Sequence, residues 1–346
     1  MSQEHQTDFK KAQLPDPVFY PPFNITRASH TLLSVRDLEE SVRFYTGVIG
    51  LLVTEQSDAA AYLRGAEEAC HHSLVLRTCA AGEEPQCDAI GFRVLTDGEL
   101  DKAYEWATER TIHAQWVDRP FQSRTLRLID PAGTPLEFCA HMPVVDRQMG
   151  HKEVSLAFAK RLDHFQVLDP NVDRSTPFYV DLGFRISDAI VIGGELEACF
   201  FWRKGSVSDL VLMEGAGPRL HHTAYLVRKP DDILRACDMI GELGFSALMT
   251  EEGPGRHGMD GAYYIYFRDP DGHRVELFDG HYQTIDTELE PKQYPPNVAA
   301  PPWGLPTLES WFEEGSVFTD TEQNPPRNPR FAPTMESYIA EKSGKN

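Results

Sequence analysis

The chain has 346 residues, enough for two domains, and an ordinary globular composition with 41% apolar and 25% charged residues. A formal net charge of −20 argues against a nucleic-acid-binding surface or an anionic-membrane partner. No run approaches the roughly 20 apolar residues of a membrane helix, and the start, MSQEHQTDFKKAQ, has no apolar signal segment, so the expected location is cytoplasmic.

Residues 1–25 read as an N-terminal arm, Pro-rich over 15–24. A repeat then begins. Arg27-Ala28-Ser29-His30 returns as Arg161-Leu162-Asp163-His164, and an aromatic pair follows each His at the same distance, Phe44-Tyr45 and Phe178-Tyr179. A glycine turn follows each pair, at Gly50 and Gly183. Between His30 and its pair the pattern is strand then helix. Leu38, Val42 and Tyr45 form one helical face after the N-cap candidate Asp37.

A second kind of module ends differently. LRLIDPAGTPLEFCA (126–140) parallels YFRDPDGHRVELFDG (266–280), with Glu137 matching Glu276. In each, two strand-like runs flank a turn tetrapeptide, which reads as a β-hairpin. Each hairpin is preceded by a helical pattern, Leu100, Tyr104 and Ala107 in one and Ile233, Cys237 and Ile240 in the other. Strands GFRVL (91–95) and TAYLV (223–227) come before those helices.

The reading is an α+β chain of four βαβββ modules, at about 26–82, 87–141, 160–214 and 218–280. They pair into two half-barrel domains, 26–141 without metal and 160–282 with it, joined by a linker over 142–159 with some helix. Residues 283–318 hold Trp303, Trp311 and Phe312 and are expected to pack as a lid. The tail from 319 reads as disordered or surface-bound. The six cysteines contain no CxxC pair and fit a reduced compartment.

The half barrels are natural pockets. Glu276 lies between Val275 and Leu277, so alternation sends it to the opposite face, where a lone carboxylate needs a partner. His221 and His222 are adjacent, so alternation lets only one enter the cup, and register against His164 selects His222. A single strand histidine is more often structural than a ligand. The repeat shifts that balance by fixing equivalent positions. Two imidazoles and a carboxylate with open positions suit non-haem Fe(II), with Mn(II) as the other candidate. The matching first-domain set is His30, Ala89 and Glu137, and Ala89 cannot ligate.

These features resemble the vicinal oxygen chelate superfamily, and within it the type I extradiol catechol dioxygenases of the homoprotocatechuate 2,3-dioxygenase branch. The motifs that carry the resemblance are GPRLHH (217–222), YLVRKP (225–230), GPGRHG (253–258), YIYFRDPDGHRVELFDGHY (264–282) and WGLPTLESWFEEGS (303–316). The resemblance implies metal ligands His164, His222 and Glu276, a small aromatic substrate with O2, and a homo-oligomer, expected as a tetramer. It also implies a tyrosine at Tyr266 that hydrogen-bonds a substrate oxygen and a histidine at His257 near the lid. Read without it, Tyr266 is ordinary strand filler and His257 a loop residue.

Several positions depart from that branch. Ser208 stands where it carries a proton-handling histidine, and serine has no pKa near 7. Gln166 replaces an asparagine, Phe200 a pocket tryptophan, and Glu252 an arginine that grips a substrate carboxylate. Glu252 reads equally as a solvent-facing charge. A second substrate arginine, expected before Trp303, is absent from NVAAPP (297–302). The expected substrate is therefore a substituted catechol or related ortho-substituted phenol other than homoprotocatechuate, with a neutral, bulky or cationic substituent. The alternatives are a non-oxidative metal-dependent isomerase, lyase or hydrolase, which Ser208 favours somewhat, and a binding protein for an aromatic compound.

Overall fold

A computed structural model of the chain describes residues 9–148, 158–286, 288–303, 306–328 and 332–343. The first repeat runs β1 (Ile25–Val35), α1 (Leu38–Gly47), β2 (Leu52–Gln56), β3 (Ala60–Arg64) and β4 (Leu74–Thr78). The second runs β5 (Cys87–Val94), α2 (Asp97–Glu109), β6 (Ala114–Val117), β7 (Thr125–Ile129) and β8 (Pro135–Cys139). The third is β9 (Ala159–Asp169), α3 (Val172–Asp181), β10 (Arg185–Ile192), β11 (Glu195–Trp202) and β12 (Leu210–Glu214). The fourth is β13 (Arg219–Val227), α4 (Pro230–Glu242), β14 (Thr250–Arg256), β15 (Tyr263–Arg268) and β16 (Arg274–Phe278). All four are strand–helix–three-strand units.

Repeats one and two form one eight-stranded sheet, ordered β2-β3-β4-β1-β5-β8-β7-β6. Repeats three and four form a second, ordered β14-β15-β16-β13-β9-β12-β11-β10, which the short β17 (Lys292–Tyr294) extends at the β10 edge. In each sheet the opening strands of the two repeats pair antiparallel at the centre, β1 with β5 and β9 with β13. One continuous apolar core lies between the sheets and their helices, with Phe92 edge-on to Phe165 at 5.9 Å across the two halves.

Local chemistry explains the repeats. Asp37 caps α1 by accepting from Glu40 N at 2.9 Å. Asp269 Oδ1 accepts from Asp271 N and His273 N, which closes the β15–β16 turn, and Gly272 supplies its φ of +88°. Asp130 does the same for the β7–β8 turn with Ala132 N and Thr134 N, beside Gly133 at +103°. The other carboxylate oxygens of these aspartates tie the halves together. Tyr45 of α1 donates to Asp269 at 3.1 Å, and Tyr179 of α3 donates to Asp130 at 2.7 Å. The first repeat thus docks on the fourth, and the third on the second.

Some expectations need correction. Tyr104 is not on the buried stripe of α2; it is 38% exposed and stacks on Trp116, while Leu100, Ala103, Trp106 and Ala107 face the core. Trp106 turns inward instead, with its ring 6.0 Å from Phe23 and 6.0 Å from Phe178. On α4 the expected face holds, with Ile233 and Ile240 buried and Cys237 half-buried against the same core, and Ala236 joins them. Much of the linker expected to hold some helix, 149–157, lies outside the described residues; Val144 before it bridges to Cys70. The tail is surface-bound. Arg327 pairs with Asp173 and Glu214, Asn324 bridges to Gly217, and α7 (Met335–Lys342), which no sequence pattern announced, ends it. Among the described residues no helix is long and apolar enough to cross a membrane.

Candidate metal centre

The strand registers carry the repeat into the site. Across the second sheet His164, Ala224, Glu276, Tyr266 and Glu252 stand opposite one another on β9, β13, β16, β15 and β14. Across the first, the corresponding row is His30, Gly91, Glu137 and Arg127. Gln166 faces His222, as Leu32 faces Ala89. Residues opposite one another share a face of the sheet, so both rows look into a cup.

In the second cup, His164 Nε2 and His222 Nε2 are 3.4 Å apart, and they lie 3.3 and 3.2 Å from Glu276 Oε2. All three residues are buried. Bonds of about 2.1 Å at near-right angles separate neighbouring donors by roughly 3 Å, so the three fit one divalent ion on one side and leave its other side to the cavity. The ring orientations are fixed. His164 Nδ1 donates to Asp163 Oδ2 at 3.0 Å, which turns Nε2 into the cup. His222 Nδ1 faces His221 Nδ1 at 2.7 Å, so one ring donates to the other. His257 Nε2 lies 3.0 Å from Glu276 Oε1 and 3.4 Å from the Tyr266 hydroxyl.

Electrostatics point the same way. Burial works against the Glu276 charge, yet hydrogen bonds from His164, His222 and His257 outweigh it and hold the carboxyl well below its usual range. Burial lowers His222 to about 4, so its imidazole is neutral and free to ligate. Burial opposes His164 as well, but Asp163 and Glu276 raise it to about 9. Glu276 is thus a buried carboxylate that meets imidazoles and, among the described residues, no permanent positive charge, while Asp163 beside His164 has Lys204 at 3.8 Å.

The first cup supplies that charge covalently. Glu137, fully buried, receives Arg119 at 2.6 Å and Arg127 at 2.8 Å. Arg127 occupies the Tyr266 position, and Ala89 the His222 position. His30 Nε2 turns instead to Gln122 at 3.1 Å.

The second cup opens into a cavity of about 740 Å³. All nine residues singled out from the sequence line it: His164, Gln166, Phe200, Ser208, His222, Glu252, His257, Tyr266 and Glu276. Glu252 is thus no solvent-facing charge; it accepts from the Tyr264 hydroxyl at 3.0 Å, and burial lifts its carboxyl to about 7. Gln166 Nε2 contacts Met213 Sδ at 3.4 Å. The stretch expected as a lid holds α5 (Pro296–Ala299), α6 (Ser310–Glu313) and β18 (Ser316–Val317), the last pairing with β13. From α6, Trp311 stands edge-on to Tyr266 at 4.7 Å and to His221 at 4.3 Å. Gly304 and Leu305 of the lid motif lie outside the described residues.

Of the adjacent pair, His222 lines the cavity and His221 is not among its lining residues; a register shift between Leu220 and His222 leaves the buried His221 ring 5.0 Å from His222 and beside Trp311. Sequence reasoning missed His281, whose ring lies 5.6 Å from His164 and whose Nδ1 donates to Asp260. It follows the turn at Gly280, where strand alternation has already ended; its only signal was its place in the 264–282 motif. Tyr338 of α7 and Pro333 reach the cavity from the tail.

Comparisons with known proteins agree with this fold. The Glyoxalase/Bleomycin resistance protein/Dioxygenase superfamily matches residues 27–138 and 161–277. Homoprotocatechuate 2,3-dioxygenase from Arthrobacter globiformis is 34% identical, with a TM-score of 0.81 over 91% of this chain and 98% of that one. The Brevibacterium fuscum enzyme is also 34% identical, with a TM-score of 0.81 over 90% and 99%. A manganese-dependent 2,3-dihydroxybiphenyl 1,2-dioxygenase from Geobacillus genomosp. 3 is 29% identical over 78% of this chain and 90% of the relative. With two matched repeats, a shared fold and a third of its residues in common with solved ring-cleaving enzymes, the chain belongs to the Glyoxalase/Bleomycin resistance protein/Dioxygenase superfamily and, within it, to the extradiol ring-cleaving dioxygenases.

Proposed function

We propose that the chain cleaves a substituted catechol, or a related ortho-substituted phenol, beside its oxygens, using O2 and a divalent metal held by His164, His222 and Glu276. The observation that carries this is the buried donor set at 3.2–3.4 Å on the wall of a 740 Å³ cavity. Fe(II) is the first candidate and Mn(II) the second, since both accept two imidazoles and a carboxylate. Such an ion supplies a common docking point for the two substrate oxygens and for O2.

The chain's own groups do the rest. Asp163 keeps His164 Nε2 turned to the cup. The Tyr266 hydroxyl is placed to hydrogen-bond a substrate oxygen, and His257 Nε2, between Tyr266 and Glu276, holds a proton at the edge of the reacting ring. Phe200 offers an apolar face and Gln166 a neutral amide to the substrate. Ser208 can donate a hydrogen bond but is a poor acid or base at neutral pH, so proton handling is weakened there. The Glu252 carboxylate opposes an anionic ring substituent, which makes homoprotocatechuate a poor substrate.

A homotetramer belongs to the same proposal and is tested by light scattering. The six cysteines are all unpaired, which favours a reducing compartment such as the cytoplasm. The deciding experiment is O2 uptake by protein reconstituted anaerobically with Fe(II) or Mn(II). Uptake with a yellow ring-opened product is expected, and His222→Ala should abolish it together with metal binding. No uptake with any catechol, from protein holding one metal per chain, would remove the reading and leave non-oxidative chemistry at the same residues.

A further inference from the structure

The cavity wall away from the metal centre has its own chemistry. His222, Gln166, Val211, Phe200 and Asp188 stand opposite one another across β13, β9, β12, β11 and β10, and all five face the cavity. Asp188, at the end of this row, is 1% exposed. Its Oδ2 accepts from the Tyr282 hydroxyl, and its Oδ1 has no partner among the described residues. An unpaired carboxylate oxygen at this depth is costly. The neighbouring Lys292 makes no ion pair with Asp188 among the described residues; its ammonium lies over the Tyr282 ring at 5.7 Å, and its charge offsets only part of the cost of burial.

The rest of the wall carries the same sign. Glu252 ends the opposite row, two strands from Glu276, and takes only the Tyr264 hydroxyl among the described residues. Asp260 and Glu197 also line the cavity, and none of the described lining residues is Lys or Arg. Burial pushes both the Asp188 and the Glu252 carboxyl up, by more than Lys292 near the first and His257 and Arg274 near the second pull them down. From β9 to β10 is three strand spacings, about 14 Å along the sheet and less across a curled one. A ring bound at the metal centre with a short chain attached spans much of that distance.

Resting on the ring-cleavage reading above, we propose that this cavity selects a catechol whose side chain ends in a protonated amine, with Asp188 accepting the ammonium and Glu252 adding to the field. Phe200, between Asp188 and Val211 in the row, covers the intervening carbons. A carboxylate in the same place meets like charge on both walls.

Three probes of similar size test this: 3,4-dihydroxyphenethylamine, 4-ethylcatechol and 3,4-dihydroxyphenylacetate. Binding is read by calorimetry on anaerobic metal-loaded protein, and turnover by O2 uptake. The amine should bind at least about tenfold more tightly than the neutral catechol, the value of one charge-assisted hydrogen bond, and the acid more weakly than both. Asp188→Asn should remove most of the amine's advantage and leave 4-ethylcatechol within about twofold; Glu252→Gln should act in the same direction and less. Equal binding of amine and neutral probe, preference for the acid, or equal losses for amine and neutral probe in Asp188→Asn would overturn the proposal. Absence of O2 uptake with all three would overturn ring cleavage alone, because the calorimetric ranking still decides the amine question.

Discussion

Glu137 and Glu276 occupy the same register position in two like sheets and are held by different cations, which makes them a matched pair for mutation. Glu137 is fully buried and takes both Arg119 and Arg127, each about a fifth exposed, at 21% and 20%. Glu137→Gln leaves two guanidinium groups facing a neutral amide. Breaking a buried pair costs about 3–5 kcal/mol, and the partial exposure of both arginines favours the low end, about 3 kcal/mol. That loss should be the same with and without metal. Among the described residues Glu276 pairs with imidazoles, His164, His222 and His257, which can shed their protons when the carboxylate is gone, and meets the neutral Tyr266 hydroxyl. Glu276→Gln should therefore cost the metal-free protein less, about 1 kcal/mol. It should instead erase the gain from metal, about 2.7 kcal/mol at a hundredfold excess over Kd. Urea unfolding of the parent and both variants, chelated and then supplied with Mn(II) or anaerobic Fe(II), reads all of these quantities. A Glu276→Gln protein that keeps the metal-dependent gain, or a Glu137→Gln protein that loses it, would refute the assignment of the two cups.

Other perturbations have defined outcomes. Ser208→His should raise kcat at least about tenfold by adding an acid–base group to the cavity, with a new pH limb near neutrality; an unchanged kcat would show that position 208 does not meet the reacting proton. Trp311→Ala removes the lid ring from Tyr266 and His221 and should raise KM about tenfold with a smaller change in kcat, measured by steady-state O2 uptake. Asp169, fully buried and with no partner for Oδ2 among the described residues, is raised by burial and by Asp130 from 3.8 to about 7. A raised carboxyl pKa means the folded state holds the proton longer, so stability falls as pH rises between those values. Asp169→Asn should thus gain on the order of 2 kcal/mol over the parent at pH 8 and little at pH 4, read by denaturant unfolding at each pH.

The fold was legible where the chain repeats its turn chemistry. Asp130 and Asp269 each fold their carboxylate back onto the turn beside a left-handed glycine, and that geometry fixes the register of the strand that follows. Once register is fixed, Glu276 must share a face with His164, and Ala89 must stand where His222 stands in the other sheet. What stayed hidden lies where local periodicity ends or is overridden. The bulge before His222 turns His221 toward the lid, and nothing in Arg219-Leu220-His221-His222 distinguishes a bulged strand from a regular one. His281 comes after the last strand residue. Asp188 looked like any polar residue in β10, because its significance depends on a row of neighbours contributed by four other strands. In α7 the apolar residues Met335 and Ile339 are exposed and Tyr338 lines the cavity, so the helix meets the site through one side chain and not through a buried stripe.

The cross-docking of the repeats explains why a cup without a metal triad is worth keeping. Ser34 O in β1 accepts from His273 Nε2 in the turn before β16, at 2.9 Å. The backbone N–H of Ala28, also in β1, donates to Asp209 Oδ1 at 2.7 Å, directly beside Ser208. The first sheet therefore braces the strand that carries Glu276 and the loop that carries Ser208, and it must itself be rigid to do so. A guanidinium clamp on Glu137 gives that rigidity without depending on a bound ion. With Glu137 taken by two arginines and Ala89 at the His222 position, that cup lacks the donor set of the second. The two cups thus divide the work by the nature of their cation: a covalent one that closes the site and stiffens the frame, and an exchangeable one whose remaining positions face a cavity.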